Sequence, residues 1–357
     1  MKGEIAGRQK KTFTRLLLKW NREKNRRQMP WKGEKDPYKI WLSEIILQQT
    51  RVEQGWSYYS NFLKVFPDIK KLAAAPDEQV MKMWEGLGYY ARCRNLLHTA
   101  RFIAVERNGV FPDSYEAIGK LKGVGPYTAA AIASFAFNLP YAVVDGNVFR
   151  VLARYFGISL PVDTTKGKQF FSTLAAELLD PSGPGIYNQA IMDFGATVCT
   201  PQQPACKQCP MARTCIANNE QQQDRYPQKE KKIKIRRRRF YYLVISARGK
   251  YAIHQRTGND IWKGLYEFPL AEQQADFDKA AFRKQLRQWG LPAISLAGIP
   301  ASLPVLRQQL SHQLIEAYFI PVKLPKQPTG NDWQWVSRTA LSNFAWPVII
   351  RQYLGNS

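Results

Sequence analysis

Four cysteines, Cys199, Cys206, Cys209 and Cys215, follow the pattern C-x6-C-x2-C-x5-C within 17 residues. Thiolates are soft ligands, and four on so short a segment can wrap one soft metal centre. Zinc and an iron–sulfur cluster both accept such a set, and the C-x2-C pair by itself favours zinc. The fifth cysteine, Cys93, stands alone in a helical context and reads as a core thiol. A second chemical candidate is Glu44, in the segment WLSEIILQQT. Glu44 and Gln48 are four apart and Arg51 is seven away, which puts all three on one face of a helix. The residues around Glu44 are strongly apolar, so its carboxyl is expected at a cleft, with a raised pKa and a proton held near neutral pH. A third candidate is the segment LKGVGPYT, in which Gly123 and Gly125 flank one apolar residue. Such a turn brings backbone N–H groups close to an anion, and the next helix N-terminus adds its positive end, a geometry that suits a phosphate. About twenty residues further on, Asp145 reads as the N-cap of a helix over 147–155.

These groups need a scaffold. The first two-thirds of the chain reads as helices joined by short turns. Trp41, Ile45, Val52 and Trp56 recur at helical spacing, and Pro67, Pro76, Pro112, Pro126 and Pro140 punctuate further helices. Near Asn218 the character changes. The stretch NNEQQQDRYPQ is polar and turn-prone, and it leads into KEKKIKIRRRR, where eight of eleven residues are basic. This reads as an exposed linker, either a solvated charged face or a contact with a DNA backbone or a protein. Beyond it the period becomes strand-like. Residues 240–246 and 251–255 predict a hairpin through Arg248-Gly249-Lys250. Helices are expected over 280–289 and 339–353, the latter despite Pro347, and a strand over 317–322.

The 357 residues correspond to about two domains. Ten Trp, 17 Tyr and 18 Phe supply large buried area, which excludes a disordered chain. Lys and Arg number 52 against 28 Asp and Glu, a net charge of +24 that argues for a polyanionic partner, nucleic acid before anionic membrane. The N-terminal MKGEIAGRQKK lacks the apolar stretch of a secretory leader. The longest apolar tract, 128–144, is interrupted by Ser134, Asn138 and Pro140 and falls short of a membrane span. Five cysteines in so long a chain do not suggest a disulfide framework. A reducing, cytoplasmic location is expected, nucleoid-associated in a bacterium, with no membrane partner.

The segments PW…PYKIWLSEIILQQT, WEGLGYYARCRNL, LKGVGPYTAAAI, VVDGNVFRVLAR, NQAIMDFGATVCT and the cysteine loop occur in that order over residues 26–217. This series resembles the MutY family of adenine DNA glycosylases, within the helix–hairpin–helix superfamily of endonuclease III. The resemblance implies a mainly α domain over 1–217 with a [4Fe–4S] loop held by Cys199, Cys206, Cys209 and Cys215, a basic linker over 218–236, and an α+β Nudix-like domain over 237–357. It implies base-excision repair: adenine mispaired with 8-oxoguanine or guanine in duplex DNA is flipped out and its N-glycosidic bond hydrolysed. Adenine leaves well only when protonated, and positive charge then develops on the deoxyribose, so two carboxyl groups divide the labour. By resemblance Glu44 is the proton donor and later helps to activate water. Asp145 stabilises the oxocarbenium-like sugar, and Tyr127 and Asn147 position these groups. Endonuclease III carries a nucleophilic lysine where this chain has Tyr127. Without an amine there is no Schiff base, and a mainly monofunctional glycosylase is expected. Gln48 and Tyr89 match the family's wedge positions, Arg27 and Gln189 match positions lining its adenine pocket, and Gly123 and Gly125 match its phosphate-binding hairpin.

In the C-terminal part, an active Nudix hydrolase carries R-E-x-x-E-E-x-G. Aligned on Arg283 and Gly290, this chain has Lys284, Arg287 and Gln288 at the acidic positions, which cannot hold Mg²⁺. A recognition module is therefore expected in place of a nucleotide hydrolase. Ser311 and His312 match the family's F-S-H loop, which contacts oxidised guanine, with Leu310 in place of the usual aromatic. Gly264 matches a family turn. Two other readings are an endonuclease III-like glycosylase/lyase for oxidised pyrimidines, opposed by Tyr127 and the second domain, and a noncatalytic DNA-binding protein, opposed by the presence of both Glu44 and Asp145. One copy carries a full set of motifs, so a monomer is expected, with the linker available to repair-protein partners.

Overall fold

The computed structural model describes residues 5–230, 235–273, 277–291 and 303–355. Contacts divide the chain into two units, Met1–Ala74 with Asn95–Lys231, and Ala75–Arg94 with Lys232–Ser357. No helix among the described residues is long and apolar enough to cross a membrane.

The first unit is helical. It contains α1 (Gly7–Glu23), α2 (Pro37–Leu47), α3 (Val52–Val65) and α4 (Ile69–Ala74). The short α5 (Asp77–Met83) and the start of α6 (Ala91–Glu106) group with the second unit. Then follow α7 (Tyr115–Gly119), α8 (Pro126–Phe137), α9 (Gly146–Phe156), α10 (Thr165–Leu178), α11 (Pro184–Thr197) and α12 (Ile216–Asn219). The local chemistry explains the helix starts. Pro37, Pro126 and Pro184 occupy first-turn positions, where a missing N–H costs nothing. Asp36, Ser114, Asp145 and Thr164 cap their helices through side-chain oxygens, each contributing about 1 kcal/mol. Helix α1 is amphipathic and buries Phe13, Leu17 and Trp20. Each such side chain contributes about 1.5–3 kcal/mol on burial. Helices α2 and α8 are enclosed nearly all round, which their long apolar runs require.

The α2 segment corrects one expectation. The helix ends at Leu47, Gln48 caps it, and Gln49 takes a left-handed φ of 60° before Arg51 caps the start of α3. Glu44, Gln48 and Arg51 therefore do not share a helix face. Likewise Trp41 and Ile45 belong to α2, while Val52 and Trp56 belong to α3, and Trp56 is exposed. The helical spacing of these four residues thus spans two helices and marks no single buried face.

The second unit is built on a sheet of order β3-β2-β1-β6-β5, with β4 added to β1 and β7 to β2. Its strands are β1 (Arg236–Ala247), β2 (Lys250–Gln255), β3 (Tyr266–Glu267), β4 (Leu270–Gln273), β5 (Val305–Gln309), β6 (Gln313–Leu324) and β7 (Gln334–Ser337). The hairpin through Arg248 and Gly249 is present, and β1 pairs in parallel with β6 along its length. Alternation sorts the faces of β1. Tyr241, Leu243, Ile245 and Ala247 pack with Phe282 and Leu286 of α13 (Lys279–Gln288). On the other face Tyr242 stacks on Phe319 at 5.2 Å, and Phe319 stacks on Tyr353 of α14 (Val348–Gly355) at 4.0 Å.

Two further readings change here. The expected closing helix over 339–353 is a 3-10 turn, Thr339–Asn343, followed by α14, because Pro347 cannot continue a helix from the preceding turn. The basic run is not wholly a solvated linker. Residues 231–234 lie outside the described residues, but Arg236–Arg239 open β1. Arg238 is buried, with its guanidinium bonded to Asp260 at 2.6 Å and Glu272 at 2.6 Å. Residues 75–94 are tied to the same unit by Lys82 Nζ donating to the Phe344 carbonyl at 2.8 Å and by the Trp346 N–H donating to Glu85 at 2.8 Å.

Candidate active site

A cleft of about 680 Å³ opens in the first unit, lined by Arg27, Glu44, Gln48, Tyr127, Asp145, Asn147 and Gln189 among others. Seven residues singled out from sequence thus meet in one cavity. Five segments supply them: the chain after α1, the C-terminal half of α2 with its cap, the start of α8, the start of α9, and α11.

Glu44 is buried in the wall of the cleft. Burial pushes its carboxyl pKa up to about 7, and the nearby Asp145 adds to the rise, while a hydrogen bond from the Tyr127 hydroxyl opposes it. The Tyr127 hydroxyl also lies 3.5 Å from the Met192 sulfur. Asp145 is likewise raised by burial, against hydrogen bonds that favour its charged form. One oxygen accepts the Val148 N–H at 2.8 Å, and the other accepts the Asn147 amide at 2.7 Å. The cap expected at Asp145 therefore leaves its second oxygen free to be oriented by Asn147. Such an arrangement offers one carboxyl that holds a proton near neutral pH and a second held ready as an anion.

The network continues through residues that sequence reasoning passed over. Arg150, one turn along α9, donates to the Asn147 side-chain oxygen at 2.8 Å, the Gly195 carbonyl at 2.7 Å and the Cys199 carbonyl at 2.7 Å. A side chain at Gly195 would lie 2.6 Å from Asn147 Cβ, so glycine alone lets α11 approach this point. Asp193 is fully buried. It accepts from Arg27 at 2.9 Å, Gln189 at 2.9 Å, Lys32 at 2.9 Å and Asn25 at 2.8 Å, and so fixes the two pocket candidates Arg27 and Gln189. The Thr50 hydroxyl oxygen is buried in the same cleft without a hydrogen-bond partner in the structure. The sequence offered a hint only for Arg150, at i+3 from Asn147 in a well-capped helix.

Gln48 reaches the Thr128 hydroxyl at 3.3 Å. The glycine hairpin adopts the expected turn. Gly123 has φ 82°, where a side chain would also strike Asn95 at 2.7 Å, and Gly125 caps α8. The remaining candidates lie in the second unit. Tyr89 is exposed with a left-handed φ of 46°, and its hydroxyl hydrogen-bonds the Ser311 hydroxyl. Ser311 and His312 form the two-residue turn between β5 and β6, closed by the Leu310 N–H donating to the Gln313 carbonyl at 2.7 Å.

Cys199, Cys206, Cys209 and Cys215 line one small, mainly apolar cavity behind α9, and none of them is in a disulfide. Among the described residues no three His, Cys, Asp or Glu side chains stand in ready-made chelating geometry. The donor set nonetheless fits a thiolate-bound centre. Arg154 approaches the Cys199 sulfur at 3.5 Å and Gln223 approaches Cys206 at 3.8 Å, while backbone N–H groups of Met211 and Asn218 serve Cys209 and Cys215. Burial raises the thiol pKa of Cys199, Cys209 and Cys215, and N–H groups aimed at sulfur oppose that rise by favouring the anionic form. Arg154 also binds the Thr200 and Pro201 carbonyls at 2.7 and 3.0 Å, so the loop is fastened to α9.

A helical fold with a glycine hairpin, a carboxylate pair of buried Glu44 and half-buried Asp145, and a four-cysteine loop defines a helix–hairpin–helix base-excision protein. Residues 42–171 match the family described as HhH-GPD superfamily base excision DNA repair protein, and residues 240–356 match the NUDIX domain family. The chain is 39% identical over 258 residues to an adenine DNA glycosylase of Buchnera aphidicola subsp. Schizaphis graminum, covering 72% of this chain and 74% of that one. It is 42% identical over 221 residues to the adenine DNA glycosylase of Homo sapiens, covering 59% and 40%. A solved thermostable thymine-DNA glycosylase superposes with a TM-score of 0.56 at 30% identity, covering 60% of this chain and 98% of that one. The chain belongs to the adenine DNA glycosylase family.

Proposed function

We propose that the chain excises adenine from duplex DNA where adenine is mispaired with 8-oxoguanine or guanine, hydrolysing the N-glycosidic bond of an extruded nucleotide. The observation that carries this reading is Glu44, buried in the cleft beside Asp145 with a pKa near 7. In the proposed reaction Glu44 donates its proton to N7 of adenine, so the base leaves neutral. Asp145, held by Asn147 and Val148, stabilises the cationic sugar, and Glu44, now a carboxylate, takes a proton from the attacking water. Tyr127 tunes Glu44 and supplies no amine for a Schiff base, so excision leaves an abasic site and no strand break. Arg27 and Gln189, fixed by Asp193, would receive the base.

Gly123 and Gly125 would hold a phosphate, and Gln48 and Tyr89 would fill the space vacated by the base. Ser311 and His312 would read the opposite 8-oxoguanine, the serine hydroxyl being able to donate to O8 or accept from N7–H. Cys199, Cys206, Cys209 and Cys215 would hold a [4Fe–4S] cluster, which when bound ties the loop together through four thiolates. The protein would work as a monomer in the cytoplasm, on the nucleoid in a bacterium. Its basic linker would remain available to repair partners.

The test is base release from short duplexes carrying A:8-oxoG, A:G, A:T or thymine glycol opposite A, with and without alkali. Release of adenine opposite 8-oxoguanine, with breaks only after alkali, is expected, as is its loss in Glu44→Gln. Direct cleavage at thymine glycol would overturn the reading.

A further inference from the structure

The solvent face of α1 carries cations that the proposed reaction leaves without a task. Arg8, Lys11, Arg15, Lys19 and Arg22 are all exposed on this helix. At 3.6 residues per turn they fall within an arc of about 80°, and the line runs about 21 Å from first to last. The opposite arc is the buried one, Phe13, Leu17 and Trp20. Lys10 pairs with Glu177 at 2.7 Å and the Thr14 hydroxyl donates to the Leu178 carbonyl at 2.9 Å, so α1 is seated on α10 with the cationic line outward. Among the described residues the line has one acidic partner, Glu23, at 3.9 Å from Arg22. A shallow groove runs along its first half, lined by Gly7, Arg8, Lys11, Thr12 and Arg15. Phe13 of the buried arc packs on Tyr155 with ring centroids 4.8 Å apart, in the same core against which Cys209 and Cys215 pack, and the cysteine loop carries the exposed Lys207 and Arg213.

We propose that this line is a second phosphodiester track, on which the protein holds duplex DNA at a distance from the excised base; the inference rests on the DNA-glycosylase reading above. Like charges at i,i+4 spacing repel, and a polyanion laid along them relieves the repulsion. One strand of a duplex presents a phosphate every 3.4 Å of axis, so the line spans about six of them. A membrane surface fits less well, because the apolar side of α1 is in the core and has nothing to insert. An acidic protein would need an apolar anchor within the patch, and the arc holds none.

The experiment measures binding of the full chain to an undamaged duplex of about 30 base pairs as salt is raised. Each phosphate contact contributes about 0.9 to the slope of log K against log salt. A variant with Arg8→Gln, Lys11→Gln, Arg15→Gln and Lys19→Gln is expected to flatten the slope by about 3 to 4 units. A charge-matched control with Lys64→Gln, Lys70→Gln, Lys71→Gln and Arg107→Gln is expected to leave it unchanged. An unchanged slope in the first variant overturns the proposal. So does an equal loss in both, which would mean bulk charge alone, or a loss confined to vesicles of anionic lipid. Lys11→Gln and Lys19→Gln taken singly, each worth about one unit, keep the question open to measurement if the quadruple variant does not fold. Single-turnover adenine excision at saturating protein separates the two readings. A chain that holds duplex through α1 and excises no adenine sinks the proposed function and leaves the track standing.

Discussion

Arg150 donates from Nε to the Cys199 carbonyl at 2.7 Å and from the same guanidinium to the Asn147 side chain at 2.8 Å. One side chain thus connects the first residue of the cysteine loop to the residue that orients Asp145. Replacing it by alanine strips donors from four acceptors, Asn147 Oδ1 and the Gly146, Gly195 and Cys199 carbonyls. Arg150→Ala is expected to lower stability by about 2–3 kcal/mol, read as a denaturant midpoint, and to lower single-turnover excision as well. A variant that lost stability but excised at the wild-type rate would show that Asn147 holds Asp145 unaided.

The raised pKa of Glu44 makes stability depend on pH with a definite sign. Its carboxyl binds a proton more tightly folded, near 7, than at its ordinary 4.5. Between these values the folded state holds the extra proton, so its contribution is full below the lower value and lost as pH rises through the higher one. The span amounts to about 3 kcal/mol. Glu44→Gln should flatten that part of the stability–pH curve while lowering excision by about 10²–10⁴-fold. A curve of unchanged slope in the variant would place the proton elsewhere.

Tyr127→Phe removes the hydrogen bond that opposes the rise at Glu44. The pKa should climb further, and the alkaline limb of the excision–pH profile should move to higher pH with it. An unmoved limb would mean that Tyr127 acts on the sugar and not on the acid.

Ser311 and Tyr89 share a hydroxyl–hydroxyl hydrogen bond at the β5–β6 turn. Ser311→Ala is expected to reduce the preference for adenine opposite 8-oxoguanine over adenine opposite guanine by about 1 kcal/mol, roughly five-fold. Competition between the two duplexes measures it, and an equal loss on both would assign Ser311 a structural role.

Local pattern made much of this protein legible. The Gly123 turn, the Asp145 cap, the β1–β2 hairpin and the α13 helix each follow from residues within a short window, because backbone conformation and capping are settled by near neighbours. The spacing of the four cysteines likewise anticipates that all four line one small cavity. The same locality misled at Leu47, where a helical period ran through a turn, and at residues 229–239, where charge suggested solvent and Arg238 is buried against the carboxylates of Asp260 and Glu272. Only the tertiary structure brought Glu44 and Asp145 into one cleft, made Asp193 the anchor of Arg27 and Gln189, and joined Cys199 to the candidate site through Arg150. Those relationships depend on which helices pack together and on what burial does to a charge. Neither quantity is carried by a residue's neighbours in sequence.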